Sequence, residues 1–159
     1  AACTRHVGTS TPKARERIEI VRPRVVDSSH NLLGYEAPCA ADGDDSTFWM
    51  VPGGQRMEMM SRDKWLVFDL GCARTVNSIN LLGEVDSFGP ARVLLDSSQS
   101  ANGPWRRVSH FRALAALRWQ SVPLTPRPSA RFFRIYIRRE GHATFRHAVH
   151  GVFFNCRRE

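Results

Sequence analysis

A chain of 159 residues can bury one hydrophobic core and is too short for two comfortable domains. Apolar residues make up 42% and charged residues 24%, globular values that exclude wholesale disorder. The 23 Lys+Arg against 15 Asp+Glu leave a net charge of +8; only Lys13 and Lys64 are lysines, so the excess is guanidinium, suited to planar recognition of carboxylate, sulfate or phosphate.

Residues 1–17 are polar, with Thr9-Ser10-Thr11-Pro12 and a mixed-charge run from Lys13 to Arg17, and read as an N-terminal arm. The four cysteines stand at 3, 39, 72 and 156 with no C-x-x-C pair, which argues against a zinc ribbon or thioredoxin-type site. An even count with the outer two at the chain ends suggests a Cys3–Cys156 bridge tying down the arm, hence an oxidising compartment. Pairing of Cys39 with Cys72 stays open. The start Ala1-Ala2-Cys3 suits a processed secretory protein or a trimmed chain, and no apolar run approaches the ~18 residues of a membrane helix. A secreted or cell-surface protein is expected. The expected division is the arm at 1–17, a folded domain at 18–156 and a tail at 157–159.

Ile18-Glu19-Ile20-Val21 alternates as a first strand, with Val25-Val26 as its continuation beyond Pro23. Residues 28–38 read as a loop containing Tyr35. The segment 39–63 holds Asp42, Asp44, Asp45, Thr47 and an apolar set running from Phe48 to Val51 and from Met57 to Met60; function is expected there, since binding residues concentrate on loops. Residues 65–71 alternate cleanly, Leu66, Phe68 and Leu70 against Trp65, Val67 and Asp69, and a glycine closes the run. Further strands are predicted at 76–82, 92–96, 105–108, 119–124, 133–138 and 149–154, with a helical turn at 113–117. About eight short strands with little helix imply an all-β fold, an antiparallel sandwich. No G-x-S-x-G, H-E-x-x-H or P-loop pattern occurs, so a non-catalytic role is expected.

These segments in order resemble a known family: Ala41-Asp42-Gly43 with Thr47 and Trp49, then residues 65–71, Val76 and Ile79, Asn102-Gly103-Pro104-Trp105, residues 130–135 and a last strand ending in Cys156. The set is similar to the discoidin domain, or coagulation factor V/VIII type C domain, over residues 18–156. The resemblance implies a jelly-roll sandwich with its ligand site on loops at one end. It also supports the Cys3–Cys156 bridge, which is similar to the one joining first and last strands in animal members. Bacterial sugar-binding relatives hold calcium in the aspartate loop, which implies Ca2+ on Asp42, Asp45 and Thr47. The glutamate that completes that site has no counterpart here, where His150 or Val152 stands.

Three ligand classes are open. A glycan would use an aromatic face for stacking and polar groups for hydroxyls, from Tyr35, Glu84, Asp86, Phe88, His142, Phe145, Arg146 and His147. The Arg-rich surface extends this to anionic extracellular polymers such as sulfated glycans. A membrane surface, without a transmembrane span, would take Phe48-Trp49-Met50-Val51 and Met57 to Met60 as spikes with Arg56 and Arg62 as rim. A protein partner would meet Arg106-Arg107, Arg138-Arg139 and Arg157-Arg158. Nucleic acid is not expected, because base-stacking aromatics interleaved with the basic residues are not evident outside strands. The preferred reading is a glycan or anionic polymer, with the protein-interaction module as the alternative.

Overall fold

The runs 65–71 and 76–82, separate strands by their patterning, are two halves of one element. A computed structural model describes residues 16–51, 64–85, 91–112, 117–139 and 147–158. In it β4 (Lys64–Val85) runs unbroken through both segments. Gly71, at φ +84°, bends the chain between the halves, a backbone conformation that a residue without Cβ adopts at little cost. The first half pairs with β2 (Arg24–Ser28) and β8 (Ser129–Arg139), the second with β9 (His147–Arg157) and β7 (Arg118–Pro123).

Two sheets result, sharing β4. One has the order β2-β4-β8-β5-β6, where β5 is Ala91–Ser98 and β6 is Arg106–Arg112. In the other, β1 (Ile18–Val21) and β3 (Trp49–Val51) lie along one edge of β9, followed by β4 and β7. Every pairing is antiparallel, and nine strands are described, with one 3₁₀ turn at Ala37–Ala40. The jelly-roll sandwich expected from the sequence is therefore the fold. The helical turn expected at 113–117 falls almost wholly outside the described residues. Val25 and Val26 do not continue the first strand: past Pro23, which has no N–H to donate, the chain enters the opposite sheet and pairs with Phe68 and Asp69.

The inward faces meet in a dry core. Leu66, Phe68, Val93, Leu95, Phe133 and Ile135 from one sheet face Ile79, Leu81, Val152 and Phe154 from the other. The Phe154 ring packs edge-on against Phe68 at 6.1 Å and tilted against Phe133 at 5.1 Å, distances at which aromatic pairs add attraction beyond their buried area. Trp49 is fully buried, and its Nε1–H donates to the His30 carbonyl at 2.9 Å. That overturns its expected part in a membrane spike: an indole satisfied inside the core has nothing to insert. Met57 to Met60, Arg56 and Arg62 lie outside the described residues.

Cys156, expected in a disulfide, is buried in the core and bridges no other cysteine among the described residues, and burial pushes its thiol pKa up to about 11. Its expected partner Cys3 lies outside the described residues. No helix among the described residues is long and apolar enough to cross a membrane.

Candidate functional site at one end of the sandwich

Pairing register gathers the loops. Val51, His147 and Val85 stand side by side across β3, β9 and β4, so segments 52–63, 86–90 and 140–146 leave the sheet from one end. On the other sheet Lys64 faces Ile137 and Ala91 faces Arg139, which closes the same end from the opposite side. Of the expected ligand residues, Glu84 and His147 occupy strand ends here, while Asp86, Phe88, His142, Phe145 and Arg146 fall in segments outside the described residues. Tyr35 is held beside β3, its carbonyl accepting from the Met50 N–H at 3.4 Å.

Beside the aspartate loop stands an aromatic stack. Phe48 lies between Tyr35, at 4.9 Å between ring centroids, and His150, at 4.7 Å, each pair tilted by 32°. His150 reaches the stack because β9 bulges. Leu82 faces Gly151 and Gly83 faces Val149, which leaves His150 as the extra residue. A bulge re-aims a side chain that regular alternation would direct elsewhere. The buried imidazole places Nδ1 3.0 Å from the Asp45 carbonyl oxygen. Periodicity cannot reveal this, since the bulge belongs to the pairing of two distant segments; Phe48 and His150 are therefore the members that sequence reasoning missed as a pair.

The aspartate loop closes largely on itself. Thr47 Oγ1–H is within reach of Asp42 Oδ2 at 2.6 Å and the Asp44 carbonyl at 3.0 Å, and the Asp44 N–H donates to Asp42 Oδ1 at 2.9 Å. Ser46 gives Asp44 Oδ1 both its hydroxyl, at 2.6 Å, and its N–H, at 2.9 Å, which holds that carboxyl below the usual range. A calcium ion needs six to eight oxygens together. Here both Asp42 oxygens face donors of the loop, and Asp45 presents its carbonyl to an imidazole nitrogen.

The F5/8 type C domain profile matches residues 25–149, most of the chain. The chain belongs to the F5/8 type C domain family. Solved structures share the fold. The family 32 carbohydrate-binding module of NanJ from C. perfringens, in complex with galactose, is 17% identical with a TM-score of 0.64, covering 87% of this chain and 93% of its own. The CBM32 of AlyQ, in complex with 4,5-unsaturated mannuronic acid, is 18% identical with a TM-score of 0.63, covering 83% and 96%. Chitosan-binding module 1 of a chitosanase/glucanase from Paenibacillus sp. IK-5 is 17% identical with a TM-score of 0.65, covering 84% and 95%. No curated protein sequence matches the chain. At such identities the likeness is one of fold, and this F5/8 type C domain's ligand must be argued from its own residues.

Proposed function

We propose that this domain is a non-catalytic, extracellular glycan-recognition module whose ligand sits on the loops leaving the end marked by Val51, His147 and Val85. The strand ends Val51, His147 and Val85, side by side in one register row, carry the reading, because they bring distant parts of the chain to one end of a rigid sandwich. Within it Tyr35, Glu84, Asp86, Phe88, His142, Phe145, Arg146 and His147 are the residues proposed to contact sugar. Solved domains of the same fold, in complex with galactose and with an unsaturated mannuronic acid, and one named for chitosan binding, support carbohydrate as the ligand class. An acidic polymer has its own support in the basic face. Arg112, Arg92 and Arg138 stand opposite one another across β6, β5 and β8, all exposed. A polyanion laid across this face would meet three guanidinium groups in one row.

In the same reading the aspartate loop is closed by His150 and not by a cation. Secretion, and a protein partner on the Arg-rich faces, belong to the proposal on the same footing. The test is a glycan array together with salt-dependent retention on heparin. Binding to either, weakened by His147→Ala, supports the reading. Silence on both, with capture of one defined protein partner through the Arg106-Arg107 face, would replace it with the protein-interaction module.

A further inference from the structure

Inward from the loop end, at the register row of Trp119, Leu82 and Gly151, a cleft of about 560 Å³ opens on the outer face of the sheet that carries β9. Its walls are Trp119 from β7, Gly151 and Phe153 from β9, Arg22 just after β1, and Asp44 and Asp45 from the aspartate loop. It sits in a gap of the sheet. β1 pairs β9 only from Phe154 onward and β3 only up to Val149, so the stretch between has no strand partner on that edge among the described residues.

Two glycines shape the walls. A Cβ on Gly151 would lie 2.6 Å from Trp119 Cη2, so the indole, two strands away, reaches across Leu82 and rests on the bare backbone of β9. It packs against the Phe153 ring at 5.0 Å between centroids and remains 43% exposed. A Cβ on Gly43, at φ +87°, would lie 2.4 Å from Arg22 Nη1, so the guanidinium lies against that glycine as the indole lies against the other. An exposed, backed indole beside one guanidinium and two carboxylates is a sugar platform in chemical terms. The ring takes the C–H face of a pyranose, and planar donors and acceptors take its hydroxyls. The volume falls in the ~300–1,000 Å³ range of ligand sites. The charge inside is one cation against two anions, which repels uronates and sulfated sugars while accepting neutral ones and attracting amino sugars.

We infer that the cleft between Trp119 and residues 43–45 is a second carbohydrate site, selective for non-acidic pyranoses and separate from the loop end. The inference shares with the proposed function only the ligand class. It is tested by NMR titration of the intact domain with D-galactose, a glucosamine trimer and a galacturonate trimer, following the indole N–H of Trp119, the amide of Gly151 and the amides of Val85 and His147. Saturable shifts of Trp119 and Gly151 with galactose and the glucosamine trimer are expected in the millimolar range usual for single exposed sugars. Trp119→Ala should abolish the Gly151 response and leave any response at Val85 and His147. Should Trp119→Ala fail to fold, Asp45→Asn keeps the shape and should weaken the glucosamine trimer by about two- to fivefold, the range for an exposed ion pair, with galactose unaffected. A Trp119 signal unmoved by both sugars overturns the site, even if Val85 and His147 respond. A galacturonate trimer that shifts Trp119 as strongly as the glucosamine trimer overturns its selectivity. A response confined to Trp119 and Gly151 keeps this site while removing the loop-end one.

Discussion

Asp69 on β4 and Arg131 on β8 are joined by two parallel bonds, Nε–H to Oδ1 at 2.8 Å and Nη2–H to Oδ2 at 2.9 Å. The carboxylate also accepts the Gly71 N–H at 2.8 Å, so one side chain ties the two strands together and fixes the bend where β4 changes sheets.

Arg131 first, with the Gly71 N–H in support, holds the Asp69 carboxyl at about 2, below its ordinary 3.8. The depressed value means the carboxylate stabilises the fold fully above the ordinary pKa and loses that contribution as pH falls through about 2. Because Arg131 is 43% exposed, water screens the pair, and the contribution is expected to be about 1–2 kcal/mol. Urea denaturation of Asp69→Asn should show this loss at neutral pH, with the difference from the parent shrinking between pH ~4 and pH ~2. A difference independent of pH would show that the amide fails on geometry and not on charge.

Phe154 is one of the residues through which the two sheets touch, its ring against both Phe68 and Phe133. Phe154→Ala should lower stability by about 3–5 kcal/mol, the cost of a lost buried aromatic together with the cavity it leaves. The check is a shifted urea midpoint with an unchanged m-value; a loss below about 1 kcal/mol would mean that the sheets close over the gap.

The strands were legible because each run carries its own period, as in Phe133, Ile135 and Ile137, and the family pattern supplied their order. What the period could not carry was anything set by pairing. The single β4 needed Gly71 to be recognised as a bend and not an end, and the placement of Val25 in the opposite sheet depended on a crossing after Pro23. Alternation put Asp69 on the face opposite Leu66, Phe68 and Leu70 but could not show that Arg131 covers it there. The candidate sites were less legible still. His150 enters through a bulge, and Trp119 reaches its cleft only because a glycine stands two strands away, neither of which leaves a local signal.

The cysteines should separate by burial. Cys72 is exposed, Cys39 is half-buried with its thiol raised mainly by burial, and Cys156 is buried with its pKa near 11. The thiolate is the nucleophile, so iodoacetamide at about pH 8 should label Cys72 first, Cys39 more slowly and Cys156 only after denaturation. Peptide mapping reads the order. A Cys156 that stays unlabelled in denaturant until a reductant is added would establish a bridge, with Cys3 as the partner to look for.

His150 offers the sharpest test of how the aspartate loop is closed. Its Nδ1 lies 3.0 Å from the Asp45 carbonyl, on a loop where Asp42 and Thr47 already face each other at 2.6 Å. If the imidazole does the work of a cation, the parent domain should have the same Tm in EDTA and in millimolar calcium. His150→Glu removes the N–H and brings a carboxylate to the same loop, adding the oxygen that hard cations require. The variant should be destabilised in EDTA, where a new carboxylate faces Asp45 unpaired, and should recover on adding calcium. At a hundredfold excess over the dissociation constant the recovery would be about 2.7 kcal/mol, several degrees in Tm for a domain of this size. Differential scanning calorimetry of both proteins in both buffers decides the matter. A parent domain that itself gains several degrees from calcium would show that the loop opens its Asp42–Thr47 contact to an ion, and that His150 is a neighbour of a metal site and not its replacement.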